Sequence, residues 1–232
     1  MFVNIQPDGL TKGIFAITIS MNKYSFNKED GKMPKSPERC QEIREEARSK
    51  ILHDSMLYFA KNGFAGTKIS DLAKHIGIGQ GTLYVYFKSK EELFNEIYAL
   101  TNYSEDIKEL KILAHLPISA KKKIRKLSKS IMTNLMQDET YAAKVALNTQ
   151  MTLEKKGFVS DETIYQSELY GITEKMIIQG QKEGSVVNGV PMKLADYFWG
   201  VVYLYSLRKL FTTKYELISE EDLARILLKD EA

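Results

Sequence analysis

The feature that most constrains this chain is a pair of short helical segments joined by a glycine turn. The segments are ISDLAKHI (69–76) and QGTLYVYF (80–87), and Gly77 begins the turn between them. Leu83 and Phe87 lie four residues apart in the second segment, so they share the face that a core would bury. Because glycine accommodates the positive φ that so tight a turn requires, the pattern predicts a helix-turn-helix.

The outward face of the second segment is suited to the major groove of DNA. At about 100° per residue, Gly81, Thr82 and Val85 point away from the Leu83/Phe87 face. A glycine lets the backbone approach closely, a threonine hydroxyl can contact a base or phosphate, and a valine can meet a thymine methyl group. Tyr84 and Tyr86 fall on the two flanks, where a phenol can pack on the core and still reach a phosphate oxygen.

Neighbouring polar residues extend this candidate DNA-contact set. Gln80 could read adenine, Lys88 and Lys90 add charge for phosphates, and the helix after Ser89 offers N-terminal amides. Thr67 is the predicted N-cap of the first segment, and Lys68 beside it faces the other side of the groove. The predicted DNA contacts are Thr67, Lys68, Gln80, Gly81, Thr82, Tyr84, Val85, Tyr86, Lys88 and Lys90.

The composition excludes some classes of protein but does not by itself indicate the function. A net charge of +3 permits a nucleic-acid partner, but any DNA contact must then come from a local patch. One cysteine allows no internal disulfide, which fits a cytoplasmic protein. The three histidines are far apart in sequence, and no apolar stretch reaches the roughly 20 residues of a membrane span. We therefore expect no metal, no cofactor and no membrane association.

Three regions are predicted along the chain. Residues 1–35 form an N-terminal extension, in which Met33 is a plausible true start and residues 1–32 are an over-extended reading or a mobile arm. Ser36 is a good N-cap for a helix over 37–61, so residues 36–92 form a helix-turn-helix domain. Residues 93–232 form a larger regulatory and dimerisation domain.

The expected fold is all-α with about nine helices, since strand-like runs are few and the breaks between helical stretches are short. In the larger domain the predicted helices are 90–111, 119–136, 138–155, 161–183, 191–213 and 219–229. The stretch 191–211 is apolar around most of its circumference, which predicts burial on more than one side. A two-fold interface made by 191–213 and 219–229 would account for it.

Aromatic and methionine side chains of the larger domain could line an apolar cavity for a small effector. The alternative is that most of them simply fill the core, as such residues commonly do. The basic run KKKIRK at 121–126 is interpreted as a solvated helix start. The candidate pocket residues are Tyr98, Tyr103, Met132, Met136, Tyr141, Met151, Tyr165 and Tyr170.

The segment ILHDSMLYFAKNGFAGTKISDLAKHIGIGQGTLYVYFKSKEELF (51–94) resembles the DNA-binding domain of the TetR (tetracycline-repressor-like) family. The resemblance implies a homodimeric transcription regulator, most members being repressors that bind a palindromic double-stranded operator until a small ligand releases them. It places the family's DNA contacts at Thr67–Lys68, Gln80–Thr82, Tyr84–Tyr86 and Lys90. Gly79 departs from the family's usual Ser or Thr cap, and Ser55-Met56 from its usual alanine-rich pair.

Two other classes of function stay open on the residues alone. A helical ligand-binding or scaffold protein could carry a helix-turn-helix that is only structural, because short motifs recur by chance. An enzyme is the weaker alternative, since no nucleophile–base pair or phosphate loop occurs at a meaningful spacing.

Overall fold

The structure is a computed structural model that describes residues 37–101, 104–154, 167–214 and 216–230. Within these ranges the regular secondary structure is helical, apart from one antiparallel bridge between Val186 and Leu228. The all-α prediction is therefore confirmed. The helices are α1 Pro37–Asn62, α2 Ile69–Ile76, α3 Gln80–Tyr86, α4 Lys90–Thr101, α5 Ser104–His115, α6 Ala120–Gln137, α7 Glu139–Glu154, α8 Glu168–Lys182, α9 Pro191–Phe211 and α10 Glu220–Arg225.

Most helix boundaries match the sequence predictions within two residues, and two do not. The predicted helix 90–111 is described as α4 and α5 on either side of residues 102–103, which lie outside the described residues, and α5 continues to His115. The predicted helix 219–229 ends at Arg225, because the chain turns there and Leu228 pairs with Val186. The predicted helix 161–183 is described only from Glu168 onward. The N-terminal extension and Ser36 lie outside the described residues.

The described residues divide into two compact units, with the division after residue 102. In the first unit, α1 to α4 surround a core whose fully buried side chains include Phe59, Leu72, Leu83, Phe87 and Leu93. The predicted boundary at residue 92 falls earlier, at the start of α4. That helix belongs to the first unit because Phe94 packs on Phe59 and Phe64, with ring centroids 5.1 Å and 4.5 Å away.

The second unit packs α5 to α10 into a helical bundle. Helix α9 lies against both α7 and α8, and α10 lies against α6. The segment that follows α8 packs closely against this helix at Gly180. A Cβ at Gly180 would lie 2.2 Å from Val186 Cγ2, so a larger residue does not fit there without a shift. Phe198 on α9 is completely buried on the face that packs within the unit, while burial of a second side of this helix stays a prediction. No described helix is long and apolar enough to span a bilayer.

Candidate DNA-binding surface

The turn between α2 and α3 has the geometry that its glycine predicts. Gly77 adopts φ 80°, ψ 28° and ends α2 in the left-handed conformation. Its N–H donates to the carbonyl of Lys74, and the N–H of Ile78 donates to that of Ala73. These bonds satisfy two carbonyl groups that the helix end would otherwise leave open.

Helix α3 is attached to the core through one face. Leu83 is completely buried, as is Phe87, the residue that directly follows the helix. The N–H of Phe87 donates to the Leu83 carbonyl at 3.0 Å, so the last turn of α3 is closed at this anchor. The predicted inner face of the helix is thus confirmed.

The opposite face of α3 is open to solvent. The relative solvent exposure of Val85 is 67% and that of Tyr84 is 45%, and Gln80, Gly81 and Thr82 are exposed as well. A Cβ added at Gly81 would meet no atom within 4 Å, so the glycine is not required by packing inside the chain. Tyr86 is half-buried on the flank. Six of the ten predicted contact residues therefore lie on or beside one exposed helical surface.

The N-terminal end of α3 is the less supported end. Gly79 precedes the helix in an extended conformation and provides no side-chain hydrogen bond to it. A Ser, Thr, Asp or Asn at this position would satisfy one of the open N–H groups and typically contributes about 1 kcal/mol.

Thr67 has a different role from the predicted one. Its side chain is buried, and its hydroxyl donates to the Gly63 carbonyl at 2.6 Å. The residue that begins α2 as N-cap is Lys68, which makes no side-chain capping bond. Thr67 thus fixes the loop between α1 and α2 from inside, while Lys68 is exposed beside it.

Lys90 is also committed to this loop. Its ammonium group donates to the carbonyls of Phe64 and Thr67, at 2.9 Å and 3.1 Å, and lies 4.2 Å from the centroid of the Phe64 ring. Two of its three N–H donors are therefore used within the protein. The sequence prediction assigned Lys90 to a phosphate, whereas the geometry makes it a clamp between α4 and the loop.

Lys88 is exposed and lies just beyond the C-terminal end of α3. Its backbone N–H donates to the Glu92 carboxylate, while the Glu92 N–H donates to the Ser89 hydroxyl at 3.0 Å. The predicted Ser89 cap of α4 is thus present. The Glu92 carboxylate already lies at the start of α4. This helix N-terminus therefore attracts a phosphate less strongly than the sequence predicted.

The candidate pocket residues do not form one set. Met132 is buried, whereas Met136 is 60% exposed at the end of α6. The hydroxyl group of Tyr170 donates a hydrogen bond to the carboxylate of Asp196. Tyr98 lies on α4, in the first unit. Burial raises the pKa of the Tyr141 phenol, and the negative charge of Asp106 raises it further. Tyr103, Tyr165 and the side chain of Met151 lie outside the described residues.

Comparison with known proteins identifies the domain. The model of the "Bacterial regulatory proteins, tetR family" matches residues 51–97, which span the end of α1 to α4. The fatty acid metabolism regulator of Bacillus subtilis is 24% identical over 153 residues, which cover 62% of this chain and 73% of that protein. The regulator AcrR of Shigella flexneri is 25% identical over 122 residues, 53% of this chain and 55% of AcrR.

A solved structure shows the same fold beyond this domain. The crystal structure of AibR in complex with isovaleryl coenzyme A and operator DNA aligns with a TM-score of 0.52 at 17% identity, over 76% of this chain and 93% of AibR. The buried anchor, the glycine turn and the open face of α3 are the features of a helix-turn-helix domain. The chain is therefore similar to transcriptional regulators of the TetR family, and residues 51–97 match that family's model.

Proposed function

We propose that the chain is a homodimeric, ligand-responsive repressor that reads a palindromic operator with two copies of α3. The observation that carries this proposal is the open face of α3, where Gly81, Thr82 and Val85 project from a helix anchored by Leu83 and Phe87. Side chains in the major groove can read base edges directly. The regulator would act in the cytoplasm and perform no chemistry of its own.

In this proposal the exposed residues divide into two functional groups. Gln80, Thr82 and Val85 contact base edges and set the operator sequence, while Tyr84 and Lys88 contact phosphates and set the affinity. Thr67 and Lys90 support the surface from behind, because their polar groups are engaged within the loop between α1 and α2. Lys68 contributes a further phosphate contact.

Dimerisation is supported by an apolar stripe on α9. Tyr197, Leu204 and Phe211 are 58%, 44% and 58% exposed and follow one another at intervals of seven residues. Residues seven apart lie on the same side of a helix, and an exposed apolar stripe of this kind is typical of a helix that packs against a partner. The proposed partner is a second copy of the same chain, related by a two-fold axis, because most soluble oligomers are symmetric assemblies of identical chains.

A small apolar effector is the proposed ligand of the second unit. Met132 and Tyr141, on the neighbouring helices α6 and α7, are candidate lining residues, since apolar and aromatic side chains predominate in ligand cavities. AibR binds isovaleryl coenzyme A, and the Bacillus subtilis relative is a fatty acid metabolism regulator. Acyl-coenzyme A thioesters are therefore the first effectors to test.

The function is tested by selecting duplexes from a random-sequence library with the wild-type protein. A near-palindromic consensus is expected, with affinity that falls steeply as salt increases. Val85→Ala should change the preferred base at one position of each half-site, while Lys88→Met should weaken all sequences alike. Failure to enrich any sequence would contradict the assignment of α3 as the recognition helix.

Effector binding is tested separately by titrating the DNA complex with acyl-coenzyme A thioesters of increasing chain length. Release of DNA by some thioesters, but not by free coenzyme A, is the expected result. If no thioester changes DNA affinity or thermal stability, the acyl class is excluded and the DNA-reading function is unaffected. The scaffold alternative is less well supported, because the relatives are transcriptional regulators.

A further inference from the structure

A charged bridge between α1 and α4 lies against the residue that ends the recognition helix. The guanidinium group of Arg48 on α1 forms an ion pair with the carboxylate of Glu96 on α4. Its Cζ also lies 4.9 Å from the centroid of the Phe87 ring, within the range of a cation–π contact. One side chain thus links α1, α4 and the C-terminal end of α3.

Phe87 is the point from which α3 is held. Its ring is completely buried and directly follows the helix, whereas Gly79 at the other end supplies no side-chain cap. An isolated helix of seven residues is not stable in water, so the direction of α3 depends on what holds it in the domain. The guanidinium of Arg48 is the cationic group that covers this anchor.

We propose that Arg48 is a positioning residue for base recognition: by holding Phe87 in place, it fixes the direction of α3 against the base edges. The proposal rests on the proposed function, in which α3 reads bases. Arginine is suited to the role because its planar guanidinium can stack on a ring and pair with a carboxylate at the same time. A lysine could form the ion pair but not the planar stack.

The length of α3 makes the base contacts sensitive to this anchor. Seven residues at 1.5 Å each give a helix about 10 Å long, so a tilt of about 10° at Phe87 moves the other end by roughly 2 Å. Hydrogen bonds to base edges are lost over such a displacement, whereas attraction between a lysine and a phosphate declines slowly with distance. Loss of Arg48 should therefore weaken specific binding more than non-specific binding.

The test compares two duplexes of equal length. One is the duplex that the wild-type protein selects from a random library, and the other is a scrambled version with the same base composition. Dissociation constants are measured by fluorescence anisotropy over a range of salt concentrations for Arg48→Met, Arg48→Lys and Glu96→Gln. Arg44→Met is the matched control, because Arg44 is an exposed arginine one turn earlier on α1.

Arg48→Met should lower the ratio of specific to non-specific affinity about ten- to a hundred-fold, the usual effect of losing one or two base contacts. Arg48→Lys and Glu96→Gln should lower it less, in the same direction. Arg44→Met should leave the ratio unchanged. The salt dependence of binding should be the same for Arg48→Met and Arg44→Met, since neither residue is proposed to contact a phosphate.

Three results would overturn the proposal. An equal loss on both duplexes, with a salt slope shallower by about 0.9, would make Arg48 a phosphate contact. An unchanged ratio with a lower melting temperature would make its role purely structural. If the wild-type protein enriches no sequence at all, the proposed reading function fails as well, and that result is distinct from the other two. Should Arg48→Met not fold, Arg48→Lys and Glu96→Gln decide the question.

Discussion

Replacing Lys90 with methionine separates support of the DNA-binding surface from contact with DNA. The substitution keeps the apolar stem that lies on the Phe64 ring and removes the ammonium group that donates to the carbonyls of Phe64 and Thr67. A hydrogen bond from a charged donor contributes about 1.5–3 kcal/mol when buried, and the half-buried position of Lys90 reduces that contribution. We expect the free energy of unfolding of the first unit to fall by about 2 kcal/mol.

A loss of this size is measurable by thermal unfolding. For a small domain it corresponds to a decrease in melting temperature of roughly 8–16 °C. Circular dichroism follows the whole chain, while the fluorescence of Trp199, the single tryptophan, reports on the second unit. The transition of the first unit should shift, and the tryptophan transition should stay where it is in the wild-type protein.

The salt dependence of DNA binding gives the second readout. Each phosphate contact contributes about 0.9 to the slope of log affinity against log salt concentration. Lys90→Met should leave this slope unchanged, whereas Lys88→Met should reduce it by about 0.9 and leave stability nearly unaltered, because the Lys88 ammonium is exposed. The reverse pattern, with Lys90→Met reducing the slope and not the melting temperature, would show that Lys90 binds phosphate and is not a clamp.

Three further substitutions test packing and assembly. Gly180→Ala should destabilise the second unit by about 1–3 kcal/mol, because its Cβ would lie 2.2 Å from Val186 Cγ2; urea unfolding followed by tryptophan fluorescence measures this, and adding Val186→Ala should restore part of the loss. Ser55→Ala should raise stability by up to about 1 kcal/mol, since its buried hydroxyl has no hydrogen-bond partner in the part of the chain that the structure describes; a lower free energy of unfolding in a chemical denaturation experiment would refute that account. Leu204→Arg should yield a monomer in light scattering, whereas Ile112→Arg, at an apolar residue of similar exposure on α5, should stay dimeric.

The helix-turn-helix was predictable because its determinants are local in sequence. Gly77 and the Leu83/Phe87 spacing each act within a few residues, and the structure has the turn and the buried face at those positions. The outward direction of Thr82 and Val85 follows from the same helical period. In such a motif, the position of a residue along the helix determines whether its side chain is buried. The side chains that are not buried are the ones that can contact DNA.

The supporting residues could not be found in this way. Lys90 contacts carbonyls 23 and 26 positions earlier in the chain, and Arg48 pairs with a carboxylate 48 positions later. From the sequence alone, Lys88 and Lys90 are equally suitable as phosphate ligands. Only the tertiary structure shows that the ammonium group of Lys90 donates to backbone carbonyls.

If α3 reads base edges as proposed, its open side makes the operator preference easy to change in evolution. Gly81 has free space around it, and Thr82 and Val85 face solvent, so none of the three is required for the folding of the domain. Mutations at these positions should therefore be almost neutral for abundance, in contrast to mutations at the fully buried Leu83 and Phe87. Under the proposed function, substitutions at these positions would therefore alter the preferred operator without first lowering the stability of the domain.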